Sequence, residues 1–330
     1  MPPARCSDMS SGTLRDRETL TDINRTIEQN HDDAKALAHH GETHRLTGYF
    51  EAALDDFNQA IELEPDYGWA IAHRGGTYYL MKRYEEALAD FNRAIELNPD
   101  YNWAIAHRGV TYEYMRCCEE ALSDLNRAVE LNPSYAWAIA HRGRTYEMMR
   151  CYEKGLEDFD RAIALDETII PHWRSERGLL LSFLERYAEA IEYYEQGLKE
   201  NPDDYFALYG IVSVTTLWKG LGNTQPQVNE VRNVLQSVVN KENHSVAIYG
   251  LAGLAAMEGQ TDQALKYLQE AISLDNYRIY TAHHDLVWNS LYAEPRFQAL
   301  IDYRIIEASK VDTESKLRNI KLRPSPKVQY

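Results

Sequence analysis

The chain has 330 residues, of which 44% are apolar, and its 51 acidic residues against 35 basic ones give a formal net charge of −16. This apolar content excludes a wholly disordered chain, and the acidic balance disfavours nucleic acid as a partner, because phosphate binding needs a basic face. With four cysteines, no apolar leader and no apolar run long enough to span a membrane, we expect a soluble cytoplasmic protein without a disulfide scaffold.

The first 33 residues contain one segment with a helical apolar pattern, from Thr19 to Asp33. Its apolar and small residues match positions that recur later in the chain, where Ile23, Thr26 and Ile27 correspond to Phe91, Ala94 and Ile95. We interpret residues 1–33 as an N-terminal segment that carries a partial repeat helix.

Residues 34–204 are dominated by an internal repeat. The run Trp-Ala-Ile-Ala-His-Arg-Gly occurs at 69–75, 103–109 and 137–143, with an offset of 34 residues each time. Each unit predicts two helices, the first from about Trp69 to Met81 and the second from about Glu85 to Leu97, after which Pro99 ends the unit. One such helix pair cannot bury its apolar face alone, so neighbouring units must stack.

At these positions the chain resembles the tetratricopeptide repeat (TPR) family. Residues 68–101 carry the small and large residues of the family pattern at Gly75, Tyr78, Ala87, Phe91, Ala94 and Pro99. Five units match in phase across residues 34–204, although the fourth has Gly155 and the fifth Gly197 where the pattern has alanine. The resemblance implies an all-α, right-handed α-solenoid of helix-turn-helix repeats with capping helices and a concave binding groove.

The pattern weakens after residue 204. Residues 205–278 predict two degenerate units, with a loop near 220–226 between the helices of the first. Residues 279–309 predict capping helices with a break at Glu294-Pro295, as terminal units facing water often depart from the pattern. We expect the tail at 310–330 to be disordered, because it has two prolines and its last 15 residues carry five basic and no acidic side chains.

The resemblance places the second and sixth positions of each first helix on the inner surface. These positions hold three pairs, each four residues apart and so on one helix face: Trp69 with His73, Trp103 with His107, and Trp137 with His141. Tyr79, Tyr114, Arg144, Glu113 and Glu147 are expected to flank them. Trp and Tyr suit a partly wet binding surface. The other interpretation is that the indoles pack between repeats and recur only because the repeats were duplicated.

Two further sets of residues bear on chemistry. Arg74, Arg108 and Arg142 recur at one position, and we favour ion pairs with residues such as Asp90 and Asp124 over anion binding. The sequence predicts no metal site, since His40 and His44 replace packing residues. Because unperturbed histidine titrates near 6.5, we expect acidification to charge His73, His107 and His141.

No catalytic or cofactor motif is present, so we expect no catalytic residue, cofactor or metal. The sequence therefore favours a non-enzymatic TPR scaffold that binds a peptide or protein segment through the Trp/His stripe. We expect no nucleic acid among its partners. The open ends of the solenoid could allow the chain to self-associate. The alternative is a small-molecule or peptide-signal sensor, or an enzyme, that uses the same residues as an enclosed site. A third possibility is that the convex face or the tail carries the function.

Overall fold

The structure, a computed structural model, describes residues 33–302 except 167, 169, 242–243 and 276, and all regular secondary structure in these residues is helical. Contacts divide the chain after Arg186 into two compact units. None of the described helices combines the length and the apolar character needed to cross a membrane. The predicted all-α class of helix-turn-helix repeats is confirmed.

From residue 33 onward, the described part of the N-terminal unit consists of four helix pairs and the first helix of a fifth. Each second helix packs against its own first helix and against the next one, and consecutive first helices also touch. The helices are α1 (Ala34–Leu46), α2 (Phe50–Leu63), α3 (Gly68–Leu80), α4 (Tyr84–Leu97), α5 (Asn102–Tyr114), α6 (Cys118–Leu131), α7 (Ala136–Met148), α8 (Tyr152–Leu165) and α9 (Ile170–Phe183).

Small residues allow the two helices of a pair to approach closely. A Cβ atom added at Gly75 would lie 3.1 Å from side-chain atoms of both Asp90 and Phe91. Ala87 and Phe91 are themselves fully buried, as are the equivalent residues of the next pair, Ala121 and Leu125. The repeated small and large residues are therefore the contact surface of the helix pair, as the sequence pattern predicts.

The turn inside each pair has the same backbone conformation. Its central residue is left-handed, with φ values of 85° at Gly48, 62° at Lys82, 64° at Arg116, 59° at Arg150 and 56° at Glu185. In the second pair the N–H of Arg83 donates to the carbonyl of Tyr78 and closes the helix end. The recurrence of this conformation in all five repeats supports the predicted phase of the array.

The C-terminal unit begins with the second helix of the fifth repeat. Its elements are α10 (Tyr187–Glu200), α11 (Tyr205–Lys219), α12 (Leu221–Lys241), α13 (Ser245–Met257), α14 (Thr261–Leu274), α15 (Tyr277–His284), a 3-10 helix (Leu286–Leu291) and α16 (Pro295–Ile301). Most of α13 is buried. Glu294 caps the start of α16, and Pro295 is its first residue.

A polar network ties together three elements of this unit. The hydroxyls of Tyr209 and Tyr249 donate to Oδ2 of Asp285 over 2.8 and 2.9 Å. The indole Nε1–H of Trp288 donates to the Tyr249 hydroxyl over 3.0 Å. Burial raises the pKa of the Asp285 carboxyl, even though the tyrosine hydroxyls counteract the rise. The network connects α11 and α13 to the 3-10 helix.

One boundary prediction is wrong. The predicted loop near 220–226 is reduced to Gly220, which has a φ of 82°, and α12 starts at the next residue. Hydrogen bonds from Asn223 Nδ2 to the Lys219 carbonyl and between the hydroxyls of Thr216 and Thr224 stabilise the first turn of α12. Pro226 lies inside the helix, in its second turn, where it has no N–H to donate to the carbonyl of Gly222.

Other predictions fall partly outside the described residues. The segment before Asp33 and the chain beyond Asp302, including the tail at 310–330, lie outside them.

Cys117, Cys118 and Cys151 are free thiols, which agrees with the expectation that they form no disulfide.

Candidate functional site

The predicted tryptophans and histidines form one continuous row of rings in contact, stacked from Trp69 to Trp137 and tilted or edge-on beyond it, which we call the Trp–His column. Each indole is followed by the imidazole of its own helix, which contacts the indole of the next first helix. Ring centroids lie 3.9 Å apart for Trp69 and His73, 4.3 Å for His73 and Trp103, 3.8 Å for Trp103 and His107, 4.6 Å for His107 and Trp137, 4.4 Å for Trp137 and His141, and 4.9 Å for His141 and Trp173.

The column extends beyond the predicted residues at both ends. His39 lies 5.1 Å from Trp69, between ring centroids, and Trp173 of α9 is fully buried against His141. The prediction missed Trp173 because it stands one position later in its repeat than the other indoles. A search that allowed a shift of one residue would have found it.

Burial varies along the column. Trp69, Trp103, Trp137 and His107 are partly exposed, whereas His73 and His141 keep only 8% and 4% of their surface accessible. The indoles also touch the core, since Trp103 lies edge-on to Phe91 at 6.1 Å. A Cβ at Gly76 would come within 2.9 Å of the Trp103 ring. The tryptophans thus take part in packing between repeats and still present an edge outward.

Two histidines of the column contact a glutamate of the preceding first helix. His73 Nδ1 is 2.9 Å from Oε2 of Glu42, and His141 Nδ1 is 2.9 Å from Oε2 of Glu113. His107 differs, because its Nδ1 donates to the carbonyl of Trp103 within its own helix, over 2.9 Å. These partners fix the orientation of all three imidazoles.

Burial governs the charge of the column. It lowers the pKa of His107 to about 3 and also lowers the pKa of His73, where the Glu42 contact counteracts it only in part. Burial alone would raise the pKa of Glu42, but hydrogen bonds from Arg45 and His73 outweigh it and bring the pKa to about 2. The prediction that mild acidification charges the histidines is therefore wrong for His107, and the lowered pKa of His73 acts in the same direction.

The other predicted site residues form a second cluster near the C-terminal ends of the first helices. The rings of Tyr79 and Tyr114 are 5.5 Å apart, and the Arg144 guanidinium lies 5.2 Å from the centre of the Tyr114 ring. Glu113 joins this cluster to the column, since its Oε1 is 3.2 Å from Arg144 Nε. The structure therefore brings all nine predicted site residues into one connected network.

The recurring arginines form the expected ion-pair ladder. Arg108 makes two hydrogen bonds of 2.7 Å to Asp124 of its own repeat and one of 2.8 Å to Asn92 of the preceding repeat. Arg74 and Arg142 repeat this geometry with the equivalent aspartates, Asp90 and Asp158. Each of the three guanidinium groups bonds an aspartate through two of its nitrogens, which confirms ion pairing.

Comparison with known families agrees with the repeat geometry. Models of the tetratricopeptide repeat match residues 34–67, 69–101 and 175–204. The chain is a tetratricopeptide repeat protein. The matched segments fall on the first, second and fifth repeats in the phase that the turns and the buried small residues define. No curated protein sequence matches the TPR chain.

Solved structures show the same fold. A tetratricopeptide repeat protein from Parabacteroides merdae is similar over 78% of this chain and 99% of its own, with 17% identity and a TM-score of 0.59. TTC0263, a thermophilic TPR protein of Thermus thermophilus, is 23% identical in the aligned region, which covers 55% of this chain and 98% of TTC0263, with a TM-score of 0.45. YrrB, described as a TPR protein with an unusual peptide-binding site, is 22% identical in the aligned region, which covers 56% of this chain and 95% of YrrB, also with a TM-score of 0.45.

Proposed function

We propose that this TPR protein is a non-enzymatic scaffold that binds an extended peptide or protein segment along its first helices. The binding surface would be the exposed edges of Trp69, Trp103 and Trp137, flanked by Tyr79, Tyr114 and Arg144. The observation that carries the proposal is the row of partly exposed indoles, one per repeat, held in register by the imidazoles between them.

Rigid aromatic anchors favour binding of this kind. Tryptophan and tyrosine dominate binding hot spots, because they bury a large area and lose little side-chain entropy. Since each indole contacts an imidazole ring on both sides, little further ordering is needed when a ligand binds. Three such anchors support an affinity on the order of micromolar.

The pKa of the central imidazole argues against the enzymatic alternative. An acid–base catalyst needs a pKa near the working pH, whereas the pKa of His107 is about 3. His73 is shifted in the same direction, and its Nδ1 faces Glu42. These imidazoles serve better as neutral stacking partners than as proton carriers.

The test is selection of peptides from a random displayed library on the wild-type chain, followed by affinity measurements on variants. The triple variant Trp69→Ala, Trp103→Ala, Trp137→Ala should lose the selected peptides. Because it removes packing as well, Tyr114→Ser is measured beside it, since this exposed tyrosine can be shortened without opening the core. We expect Tyr114→Ser to weaken binding about tenfold, as loss of a hot-spot side chain costs about 1.4 kcal/mol or more.

A matched control is Trp218→Ala. Trp218 is 50% exposed in the C-terminal unit, outside the column, so its removal makes the same chemical change elsewhere. Peptides that bind wild type and the folded Tyr114→Ser variant equally, and are lost with Trp218→Ala, would place the binding site in the C-terminal unit and contradict the proposal.

A further inference from the structure

The first repeat has the aspartate of the ion-pair ladder but lacks the arginine. Asp56 occupies the position of Asp90, but His40 stands where Arg74 does and His44 where Tyr78 does. His40 and His44 are one turn apart on α1, facing Asp56 on α2. A carboxylate that holds a guanidinium in the next three repeats therefore faces two imidazoles here.

The three side chains converge on one point. Nδ1 of His44 is 2.8 Å and Nδ1 of His40 is 3.0 Å from the same oxygen, Oδ2 of Asp56. The two imidazole centroids are 4.1 Å apart, and one donor atom from each of the three residues lies within 4.8 Å of the others. This is the spacing of groups that can share one ion.

Hydrogen bonding alone leaves the cluster poorly satisfied. His40 is buried, with 9% of its surface exposed, and neither of its ring nitrogens makes an aligned hydrogen bond. Buried polar atoms are usually paired, because an unpaired one loses its hydration without compensation. An ion between the three groups would accept the His40 lone pair and would also replace the positive charge that arginine supplies elsewhere.

We propose that His40, His44 and Asp56 bind a transition-metal dication of the zinc class. Two imidazole nitrogens and one carboxylate oxygen suit Zn²⁺ or Co²⁺, whereas Mg²⁺ and Ca²⁺ prefer all-oxygen sets. Tetrahedral zinc with bonds of about 2.0 Å places its ligand atoms about 3.3 Å apart, so the two nitrogen–oxygen separations need to open by only a few tenths of an ångström. A water on the side of His44, which is partly exposed, completes the coordination.

The site goes beyond the sequence-based expectation because the sequence did not bring Asp56 into the cluster. The ion would clamp α1 to α2 and take the structural place of the first arginine in the ladder. It is independent of the Trp–His column, since His40 and His44 belong to the helix face that meets α2.

The experiment is calorimetric titration of the full chain with Zn²⁺, together with visible absorption of its Co²⁺ complex. The matched control is the double variant His40→Arg, His44→Tyr, which installs the residues of the next repeat and should restore the ladder. We expect wild type to bind one Zn²⁺ per chain at this site and to gain a higher Tm with Zn²⁺. The double variant should lose that equivalent and show no Tm gain.

Asp56→Asn is the second variant, because it removes the carboxylate while keeping size and hydrogen bonding. It should weaken Zn²⁺ binding at least tenfold and change the Co²⁺ spectrum. Equal Zn²⁺ stoichiometry and affinity in wild type and the folded double variant would overturn the proposal, because the ion would then be bound by other histidines. Absence of saturable binding to wild type would overturn it as well.

Discussion

At the scale of single residues, the histidines of the Trp–His column act as neutral spacers between indoles. His107 lies between Trp103 and Trp137, at 3.8 and 4.6 Å between centroids, and its Nδ1–H is used by a backbone carbonyl. A charged imidazolium at this place would lose its hydration without gaining a carboxylate, unlike His73 and His141, which have Glu42 and Glu113. This burial makes His107 the residue whose protonation opposes folding most directly.

His107 should therefore make the fold sensitive to acid. Its pKa falls from 6.5 in the unfolded chain to about 3 in the folded one, so the unfolded state binds more protons in between. The free energy of unfolding should then fall by up to about 1.4 kcal/mol per pH unit as the pH drops from about 6 toward 3. Urea unfolding of wild type and His107→Gln at pH 8, 6 and 4 measures this, because glutamine does not titrate.

The comparison at pH 8 isolates the cost of replacing the ring, since the unfolded imidazole is then neutral too. The variant should be less stable there through lost stacking, and its deficit should shrink or reverse by pH 4. A deficit that stays constant over this range would show that His107 titrates alike in both states.

The sequence was a sufficient guide to the faces of these residues but not to their chemistry. A spacing of four residues places Trp103 and His107 on one helix face, and the structure agrees. The lowered pKa of His107 could not be read from the repeat, because its desolvation comes from rings of two repeats stacked on both sides. The cluster of His40, His44 and Asp56 was not predicted either, because its members lie on two helices whose contact the sequence pattern does not specify.

At the scale of helices, the arginine ladder joins three successive elements. Arg108 on α5 bonds Asp124 on α6 and Asn92 on α4. Arg108→Met keeps much of the apolar stem but leaves the buried carboxylate of Asp124 without its cation. We expect a loss of about 1–3 kcal/mol in the free energy of unfolding, below the full value for a buried pair because the guanidinium is partly solvated. Urea unfolding at neutral pH measures this loss.

The same repeat offers a control. Arg127→Met makes the same chemical change at an exposed arginine that bonds only the Pro99 carbonyl and Asp100 on the surface. This change should stay within about 0.5 kcal/mol of wild type. Equal losses in the two variants would mean that the ladder adds nothing beyond ordinary surface contacts.

Helix positions followed closely from the repeat because each local signal agrees with the packing. The expected helix from Trp69 to Met81 is Gly68–Leu80, and the expected second helix from Glu85 to Leu97 is Tyr84–Leu97. The prediction of a loop near 220–226 was wrong because its glycines and proline were interpreted as loop residues. One left-handed glycine made the turn instead, and the proline was accepted inside α12.

At the scale of the whole molecule, the main helix contacts of the N-terminal unit are local. Among its described helices, they join each helix to its neighbours in sequence and each first helix to the next first helix. In such arrays stability is a sum of repeat terms and nearest-neighbour terms, and a local perturbation should fade along the chain. Each unit contains a cluster of buried apolar residues, one among residues 34–104 and one among residues 209–301.

Asp285→Ala tests this locality. The change removes the carboxylate that accepts hydrogen bonds from both Tyr209 and Tyr249. Because the two buried hydroxyls then lack an acceptor, the C-terminal unit should be destabilised by about 2 kcal/mol or more. Amide hydrogen exchange followed by mass spectrometry should then be about 30-fold faster in 245–301, where exchange requires this unit to open. Exchange in 68–131 should be unchanged. Arg296→Ala, at an exposed ion pair of the same unit, should alter neither segment. Faster exchange in 68–131 with Asp285→Ala would mean that the chain opens as one cooperative body, and stability could then not be assigned repeat by repeat.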